Sequence, residues 1–193
     1  MICRSWRKGS DSFPPIYVIV LTRDRGRYMA KLIIIRGNSG SGKTTVARAL
    51  QRRFGDHSML ISQDMVRREI LHVKGEKNML ALPLMQELVA YGRDHCEITI
   101  LEGILNSQWY EPLFDSAKTL FGDAVFAYYY DLPFEVTLLR HQTKSNREEF
   151  GENDMRDWWR EKDYLKNISE NALTAEMSLE ETIERIYHDV TLA

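Results

Sequence analysis

One stretch of the sequence leaves few choices of fold: a glycine-rich loop between an apolar segment and an amphipathic one. Residues 37–44 read GNSGSGKT and fit the pattern G-x-x-x-x-G-K-[ST]. The apolar residues 32–36 precede the loop. Residues 44–54 follow it with Ala47, Leu50 and Phe54 on one helical face. A strand, this loop and a helix in that order predict a phosphate-binding loop.

The residue types in this loop suit a bound polyphosphate. Glycines let backbone N–H groups converge on phosphate oxygens, and the start of the helix adds partial positive charge. We expect Lys43 to reach the β- and γ-phosphates and the Thr44 hydroxyl to ligate Mg²⁺, so ATP and Mg²⁺ are the predicted ligands. The complete pattern disfavours the alternative, a glycine-rich turn that binds nothing. The residues predicted to bind the nucleotide are Gly37, Asn38, Ser39, Gly40, Ser41, Gly42, Lys43, Thr44 and Thr45.

The composition excludes several other classes of protein. The 193 residues suit one domain, and 26 Lys and Arg against 28 Asp and Glu give a net charge of −2, which argues against a polycation built for nucleic acid. Cys3 and Cys96 lie far apart without metal-ligand spacing, so we expect reduced thiols and a cytoplasmic protein. No apolar run is long enough for a membrane span, and we predict no membrane partner.

The first 28 residues differ from the rest of the chain. Their basic residues are opposed only by Asp11 and Asp24, and a proline pair interrupts them. We expect an N-terminal extension over residues 1–28, whose order the sequence leaves open, and a domain over residues 29–193. An edge strand at residues 16–22 is an equally weighted alternative. The basic residues of this segment are Arg4, Arg7, Lys8, Arg23, Arg25 and Arg27.

From residue 32 onward, short apolar runs alternate with amphipathic stretches. The alternation predicts a parallel, doubly wound α/β sheet with right-handed crossovers. With the phosphate loop, we expect a P-loop NTPase fold with three α/β/α layers, a five-stranded, mainly parallel sheet and a helical lid. Pro133 suits the first turn of a helix, and Ser178 with Glu181 forms a capping box. Individual strands are predicted at residues 32–36, 59–61, 98–101 and 125–130. Helices are predicted at residues 44–54, 65–71, 83–91, 108–120 and 179–188.

Acidic residues follow three of these strands, at the edge of a parallel sheet where active groups gather. Asp64 is a candidate general base, and the alternative is an ordinary helix N-cap. Arg67 follows three residues later and would share its helical face. Glu102 could hold Mg²⁺ through a water molecule or form a salt bridge. Asp131 is the alternative acid for the metal, and we favour Glu102 because Asp131 also resembles a helix start.

A group of cations follows Pro133. Arg140, Lys144 and Arg147 are spaced four and three residues apart and would form one stripe if the helix continues. The polar residues 144–157 are expected to be mobile. Together these features predict a lid that closes Arg140 and Arg147 over the phosphates and excludes water. The alternatives are a solvated basic face and, for Arg140, stacking on the adenine.

These residues together resemble the small P-loop kinases of the zeta-toxin, chloramphenicol phosphotransferase and polynucleotide-kinase group, from about residue 31 to the end of the chain. The resemblance implies that Asp64 is the general base and that Arg67 contacts the transferred phosphoryl or the acceptor. It implies that Arg140 and Arg147 clamp the phosphates. Glu102 and the glycine after it are similar to a substrate-contacting segment of zeta toxins.

The sequence therefore predicts an ATP-dependent kinase that acts on the hydroxyl of a small-molecule acceptor, as a monomer or homodimer. Nucleic acid is a less favoured acceptor, because neither a basic groove nor an acceptor-binding insert of the toxin type is evident. A 5′-hydroxyl polynucleotide kinase and a nucleotide switch without transfer are the alternatives. No N-K-x-D motif supports a GTPase. The predicted catalytic residues are Lys43, Asp64, Arg67, Arg140 and Arg147.

Overall fold

The computed structural model describes residues 29–73, 79–143 and 151–193. Its strands are β1 (Lys31–Gly37), β2 (Ser58–Ser62), β3 (Ile98–Gly103), β4 (Val125–Tyr130) and β5 (Glu170–Leu173). Its α-helices are α1 (Lys43–Phe54), α2 (Ala81–His95), α3 (Glu111–Phe121), α4 (Phe134–Gln142), α5 (Glu152–Trp158) and α6 (Leu179–Leu192). A π-helix spans Met65–Ile70, and a short 3₁₀ turn spans Gly122–Ala124.

The five strands form one sheet in the order β2-β3-β1-β4-β5, with every pair parallel. β1 lies in the middle, and its residues 32–35 have no exposed surface, as a central parallel strand requires. Leu32 and Ile34 pack into a cluster with α2 and α3, whereas Ile33 and Ile35 pack into a second cluster with α1 and α6. The predicted three-layer P-loop fold is therefore confirmed, with a fully parallel sheet.

The strand that the sequence pattern did not locate is β5. Its four residues, ENAL, lie at the edge of the sheet, and Leu173 alone among them is fully buried. Because only one of its four residues is fully buried, β5 carries neither an apolar run nor a clean alternation for a sequence pattern to detect. The other four strands agree with their predicted positions to within two residues.

The lid region differs from the prediction. α4 ends at Gln142 with Thr143 as its C-cap, so a cationic stripe along one continuing helix is not present in the described part of the chain. Lys144 and Arg147 lie outside the described residues, as do residues 1–28 and the alternative strand at residues 16–22. Residues 152–157, part of the segment expected to be mobile, lie in α5, in which Met155 is buried, Trp158 is half-buried and the other residues are exposed.

The end of the chain agrees with its prediction. The Glu181 amide donates to Ser178 Oγ at 3.1 Å, and the Ser178 amide donates to the Glu181 carboxylate at 2.8 Å, which completes the capping box of α6. Within the described residues, no helix is both long enough and apolar enough to cross a lipid bilayer.

Candidate active site

The predicted phosphate loop connects β1 to α1 and turns tightly at two glycines. Gly42 is the N-cap of α1 with a φ of 102°, and its carbonyl accepts from the Val46 amide at 3.2 Å. Gly40 has a φ of 82°, and a Cβ there would lie 2.4 Å from the Thr137 carbonyl oxygen of α4. Both positions need the left-handed backbone that glycine adopts without strain, and Gly40 also lacks space for any side chain.

Lys43 is buried with its ammonium group turned into the loop. Its Nζ donates to the Asn38 carbonyl at 2.8 Å and to Ser41 Oγ at 3.2 Å. The Ser41 hydroxyl donates to the same carbonyl at 2.9 Å. Because a phosphate oxygen is a stronger acceptor than either neutral oxygen, an entering phosphate can replace these contacts.

The acid that meets Thr44 is Glu102. Both Glu102 carboxylate oxygens lie 3.2 Å from Thr44 Oγ1, and Oε1 also accepts from the Ser62 hydroxyl at 2.6 Å. Ser62 and Glu102 are register partners at the ends of β2 and β3, which explains why they meet. Asp131 is occupied elsewhere, since its Oδ2 accepts from the Tyr164 hydroxyl at 3.1 Å. The structure thus brings Glu102, rather than Asp131, to Thr44.

The partner of Asp64 differs from the prediction, because the π-helix places Arg68, rather than Arg67, beside it. Asp64 Oδ1 lies 3.6 Å from Arg68 Nε, and both side chains are exposed, whereas Arg67 is buried. The Leu71 amide bonds five residues back, to the Val66 carbonyl, at 3.0 Å. This wider turn places residue i+4, rather than i+3, beneath residue i. Asp64 and Arg67 therefore do not share a helical face.

Asp64 stands at the N-cap position of the π-helix, but its side chain makes no capping hydrogen bond. Asp64 thus occupies the N-cap position that the sequence predicts as an alternative, but its carboxylate does not act as a helix cap. It is exposed, directly beyond the carboxyl end of β2 and on the edge of the sheet that also carries Glu102 and the phosphate loop. Asp64 can therefore reach a ligand at that edge.

The Arg67 guanidinium is the most unusual cation of the site. The residue is 5% exposed, its enclosed Nε makes no hydrogen bond, and among the described residues no carboxylate forms an ion pair with it. A buried charge that no counter-charge balances costs free energy. Arg67 is therefore suited to an anion that arrives with a ligand.

A cavity of about 540 Å³ opens beside the phosphate loop. Arg140 forms part of its wall, with Nη1 donating to the Ser41 carbonyl at 2.8 Å. The structure thus places Arg140 against the phosphate loop. Burial raises the pKa of Tyr130, on the same wall, to about 12, so this phenol is neutral near pH 7. The remaining lining residues are Gly40, Gly42, Thr45, Thr143, Ala175, Glu176, Met177, Ser178, Leu179 and Thr182.

Sequence reasoning missed the polar contacts that support the site. The Asn38 side chain bonds to the backbone of Arg160, 122 residues away, and the Gln63 side chain accepts from the Leu105 amide at 3.1 Å. Arg36, at the end of β1, is fully buried and donates to the carboxylates of Asp163 and Glu170. The position of Arg36 at the end of an apolar strand was a sequence signal for a buried ion pair. No sequence pattern indicated the contacts of Asn38 with Arg160 or of Gln63 with Leu105.

Comparisons with known proteins agree with this geometry. Residues 22–86, which contain the phosphate loop, Asp64 and Arg67, match the zeta toxin family model. No curated protein sequence gives a significant match to the chain.

The fold is shared with several solved kinases. The APS kinase CysC of Mycobacterium tuberculosis, in complex with AMPPNP and APS, is 18% identical with a TM-score of 0.64, covering 86% of this chain and 100% of that one. A gluconokinase from Sinorhizobium meliloti 1021 is 14% identical with a TM-score of 0.60, covering 86% and 94%. Shikimate kinase from Aquifex aeolicus is 18% identical with a TM-score of 0.53, covering 83% and 96%. The chain thus has the fold of the P-loop kinases, and its residues 22–86 carry the segment that the zeta toxin family model describes.

Proposed function

We propose that the protein transfers the γ-phosphate of ATP to a hydroxyl of a small-molecule acceptor. One observation carries this proposal: β2 is followed by an exposed carboxylate at Asp64 that makes no capping bond, and by a buried guanidinium at Arg67 that pairs with no carboxylate among the described residues. A proton acceptor and an anion site beside a phosphate loop are the groups that phosphoryl transfer to a hydroxyl needs. A nucleotide switch needs neither of them.

The cavity beside the phosphate loop suits the nucleoside of ATP. Its volume of about 540 Å³ lies within the range of small-molecule sites. With the adenosine in this cavity, the phosphates would run along the loop toward Lys43, and Arg140 would stand over them. The AMPPNP bound to the M. tuberculosis APS kinase supports a nucleotide site in this fold. Arg147, outside the described residues, is kept as a proposed second lid arginine.

Thr44 and Glu102 fit a magnesium ion. A hydroxyl and a carboxylate supply the oxygen ligands that Mg²⁺ prefers, and the Thr44 hydroxyl lies 3.2 Å from both Glu102 carboxylate oxygens. Thr44 would ligate the ion directly and Glu102 through a water molecule. When bound, Mg²⁺ would offset the negative charge of the phosphates.

The chain's own groups can then carry the transfer. The acceptor oxygen attacks the γ-phosphorus while its proton passes to the Asp64 carboxylate, and the bond from the γ-phosphorus to the bridging oxygen breaks to release ADP. Lys43 exchanges the Asn38 carbonyl and Ser41 Oγ for phosphate oxygens and stabilises their charge. Arg67 pairs with the phosphoryl in transfer or with an anionic group on the acceptor.

The test uses γ-labelled ATP, Mg²⁺ and a panel of nucleosides, nucleotide sugars, simple sugars, antibiotics and 5′-hydroxyl oligonucleotides. We expect label on one acceptor class, loss of that label with Lys43→Ala, and a decrease of about 10²–10⁴-fold with Asp64→Asn. Asp56→Asn, at an exposed aspartate after α1, is the matched control and should retain the full rate.

The other outcomes separate the parts of the proposal. Full activity of Asp64→Asn would show that Asp64 is not the base. Label on the oligonucleotide alone would identify the acceptor as nucleic acid. Tight nucleotide binding with no transfer to any member of the panel would favour a switch.

A further inference from the structure

Asn38, the second residue of the phosphate loop, makes an unusual contact with a distant part of the chain. Its Nδ2 donates to the Arg160 carbonyl at 2.7 Å, and its Oδ1 accepts from the Arg160 amide at 3.0 Å. The side chain thus pairs with both backbone groups of one residue, as a neighbouring strand would. Asn38 is 6% exposed, so water competes little for these two bonds.

The same residue also touches the lysine of the loop. The Asn38 carbonyl accepts from Lys43 Nζ at 2.8 Å and from the Ser41 hydroxyl at 2.9 Å. The backbone of Asn38 therefore contacts the ammonium group that phosphate would attract, while its side chain holds Arg160. A displacement of Lys43 or of the loop backbone can therefore be transmitted to Arg160 through Asn38.

Arg160 belongs to a segment, residues 159–165, that contacts the opposite side of the site. Asp163 accepts from the amide of Ser107 at 2.9 Å and from its hydroxyl at 2.5 Å. The Arg160 guanidinium lies 6.0 Å from the ring centre of Trp109. Residues 105–109 follow Glu102 along the chain, and the Leu105 amide donates to Gln63, the neighbour of Asp64. Segment 159–165 thus bridges the phosphate loop and the loop on the acceptor side.

We propose that Asn38 is a positioning residue that transmits nucleotide binding to segment 159–165 and, through Asp163, to the acceptor-side loop 105–109. This inference rests on the proposed function in taking ATP as the ligand. When a phosphate draws Lys43 away from the Asn38 carbonyl and fixes the loop, the paired side chain of Asn38 fixes Arg160. Nucleotide binding then orders loop 105–109 before the acceptor enters. Acceptor binding therefore costs less conformational entropy than it would in the nucleotide-free protein.

Amide hydrogen exchange of the full chain, with and without AMPPNP and Mg²⁺, tests the inference directly. The Arg160 and Ser107 amides both donate to groups within this network, and each exchanges only when its bond opens. In the wild type we expect AMPPNP to slow both amides by about fivefold or more, the lower end of typical coupling factors. In Asn38→Ala, at an AMPPNP concentration that saturates the variant, neither amide should slow.

Two further variants control for nonspecific loosening. Asn167→Ala removes an exposed amide side chain just beyond segment 159–165, and Arg160→Ala removes a guanidinium but keeps both backbone bonds, so both should retain the slowing. If Asn38→Ala does not fold, Asn38→Ser replaces it, because its shorter side chain cannot pair with both backbone groups of Arg160.

Each remaining result is decisive. AMPPNP binding without slowing at Arg160 in the wild type overturns the inference and leaves the proposed function standing. Retained slowing in Asn38→Ala overturns it as well, and slowing at Arg160 without slowing at Ser107 overturns the transmission to the acceptor side. Failure of the wild type to bind AMPPNP overturns the proposed function and this inference together.

Discussion

The backbone of Leu105 is held from one side by Gln63, whose Oε1 accepts from the Leu105 amide at 3.1 Å, while Leu105 has a φ of 45°. A leucine rarely adopts this left-handed conformation, so surrounding contacts must impose it. The Leu105 carbonyl is held as well, by Arg36 Nε at 3.0 Å and Nη2 at 2.8 Å. The loop on the acceptor side is thus fixed by contacts to β1 and to the residue before Asp64.

Replacing Gln63 should loosen this loop. Gln63→Ala leaves the buried Leu105 amide without an acceptor, so we expect the free energy of unfolding to fall by about 1–3 kcal/mol. Chemical denaturation measures the change. Gln108→Ala, at an exposed glutamine of the same region, should leave stability within about 0.5 kcal/mol of the wild type. Equal effects of the two substitutions would contradict a specific role for Gln63.

Ser62 should matter for metal binding, since it orients Glu102 through the 2.6 Å bond between their side chains. Ser62→Ala should raise the Mg²⁺ concentration needed for half-maximal transfer by about 10–100-fold, the usual effect of losing a partner of a metal-holding group. A magnesium titration of the transfer rate measures it. Ser169→Ala, an exposed serine near β5, should leave the titration unchanged. An unchanged titration with Ser62→Ala would show that Glu102 does not hold the metal.

Gly40 and Gly55 both have a positive φ, but only Gly40 lies close to another element, α4. Comparing alanine substitutions at the two positions separates the effect of a steric clash from that of backbone strain. Gly40→Ala places a Cβ 2.4 Å from the Thr137 carbonyl, whereas Gly55, with a φ of 73°, has no atom within 4 Å of the same position. Gly55→Ala therefore carries the backbone strain alone. We expect Gly40→Ala to weaken AMPPNP binding by at least about tenfold through displacement of the loop, and Gly55→Ala to leave it unchanged. Calorimetric titration with AMPPNP compares them, and similar affinities would show that α4 yields to the added methyl group.

Replacing Arg67 should raise the stability of the protein and lower its phosphoryl-transfer rate. Arg67→Met replaces a buried cation, which pairs with no carboxylate in the described ranges, with an apolar side chain, and we expect stability to rise by about 1–4 kcal/mol. Phosphoryl transfer should fall at least about tenfold, because the anion loses its counter-charge. Thermal unfolding and the transfer assay give the two readouts. In Arg52→Met, at an exposed position of α1, neither should change by more than about twofold in rate or 0.5 kcal/mol in stability.

The sequence was sufficient for the fold and for the part of the site that depends on local order. The GNSGSGKT pattern located the loop, and apolar runs located the first four strands, because a buried strand and a phosphate loop both depend on consecutive residues. Because the ends of parallel strands share one edge of the sheet, the sequence offered both Glu102 and Asp131 as the acid near Thr44, and the structure brings Glu102 there.

The contacts that sequence reasoning could not provide are those made between distant residues or by irregular backbone. The spacing of Asp64 and Arg67 predicts one helical face only if the turn is α-helical, and the π-helix changes that geometry. The bonds from Asn38 to Arg160 and from Gln63 to Leu105 join residues that no spacing rule connects. Folding of the whole chain brings these pairs together.

The enclosed guanidinium of Arg67 has a thermodynamic consequence for the search for the acceptor. A ligand that binds the native state and not the unfolded chain raises the melting temperature, and the rise grows with the logarithm of the ratio of its concentration to its Kd. An acceptor whose anionic group neutralises Arg67 acts as such a ligand, even when no phosphate donor is present. The melting curve of the intact protein can therefore rank unlabelled candidate compounds before any reaction has been observed, and Arg67→Met identifies those whose effect depends on this one cation.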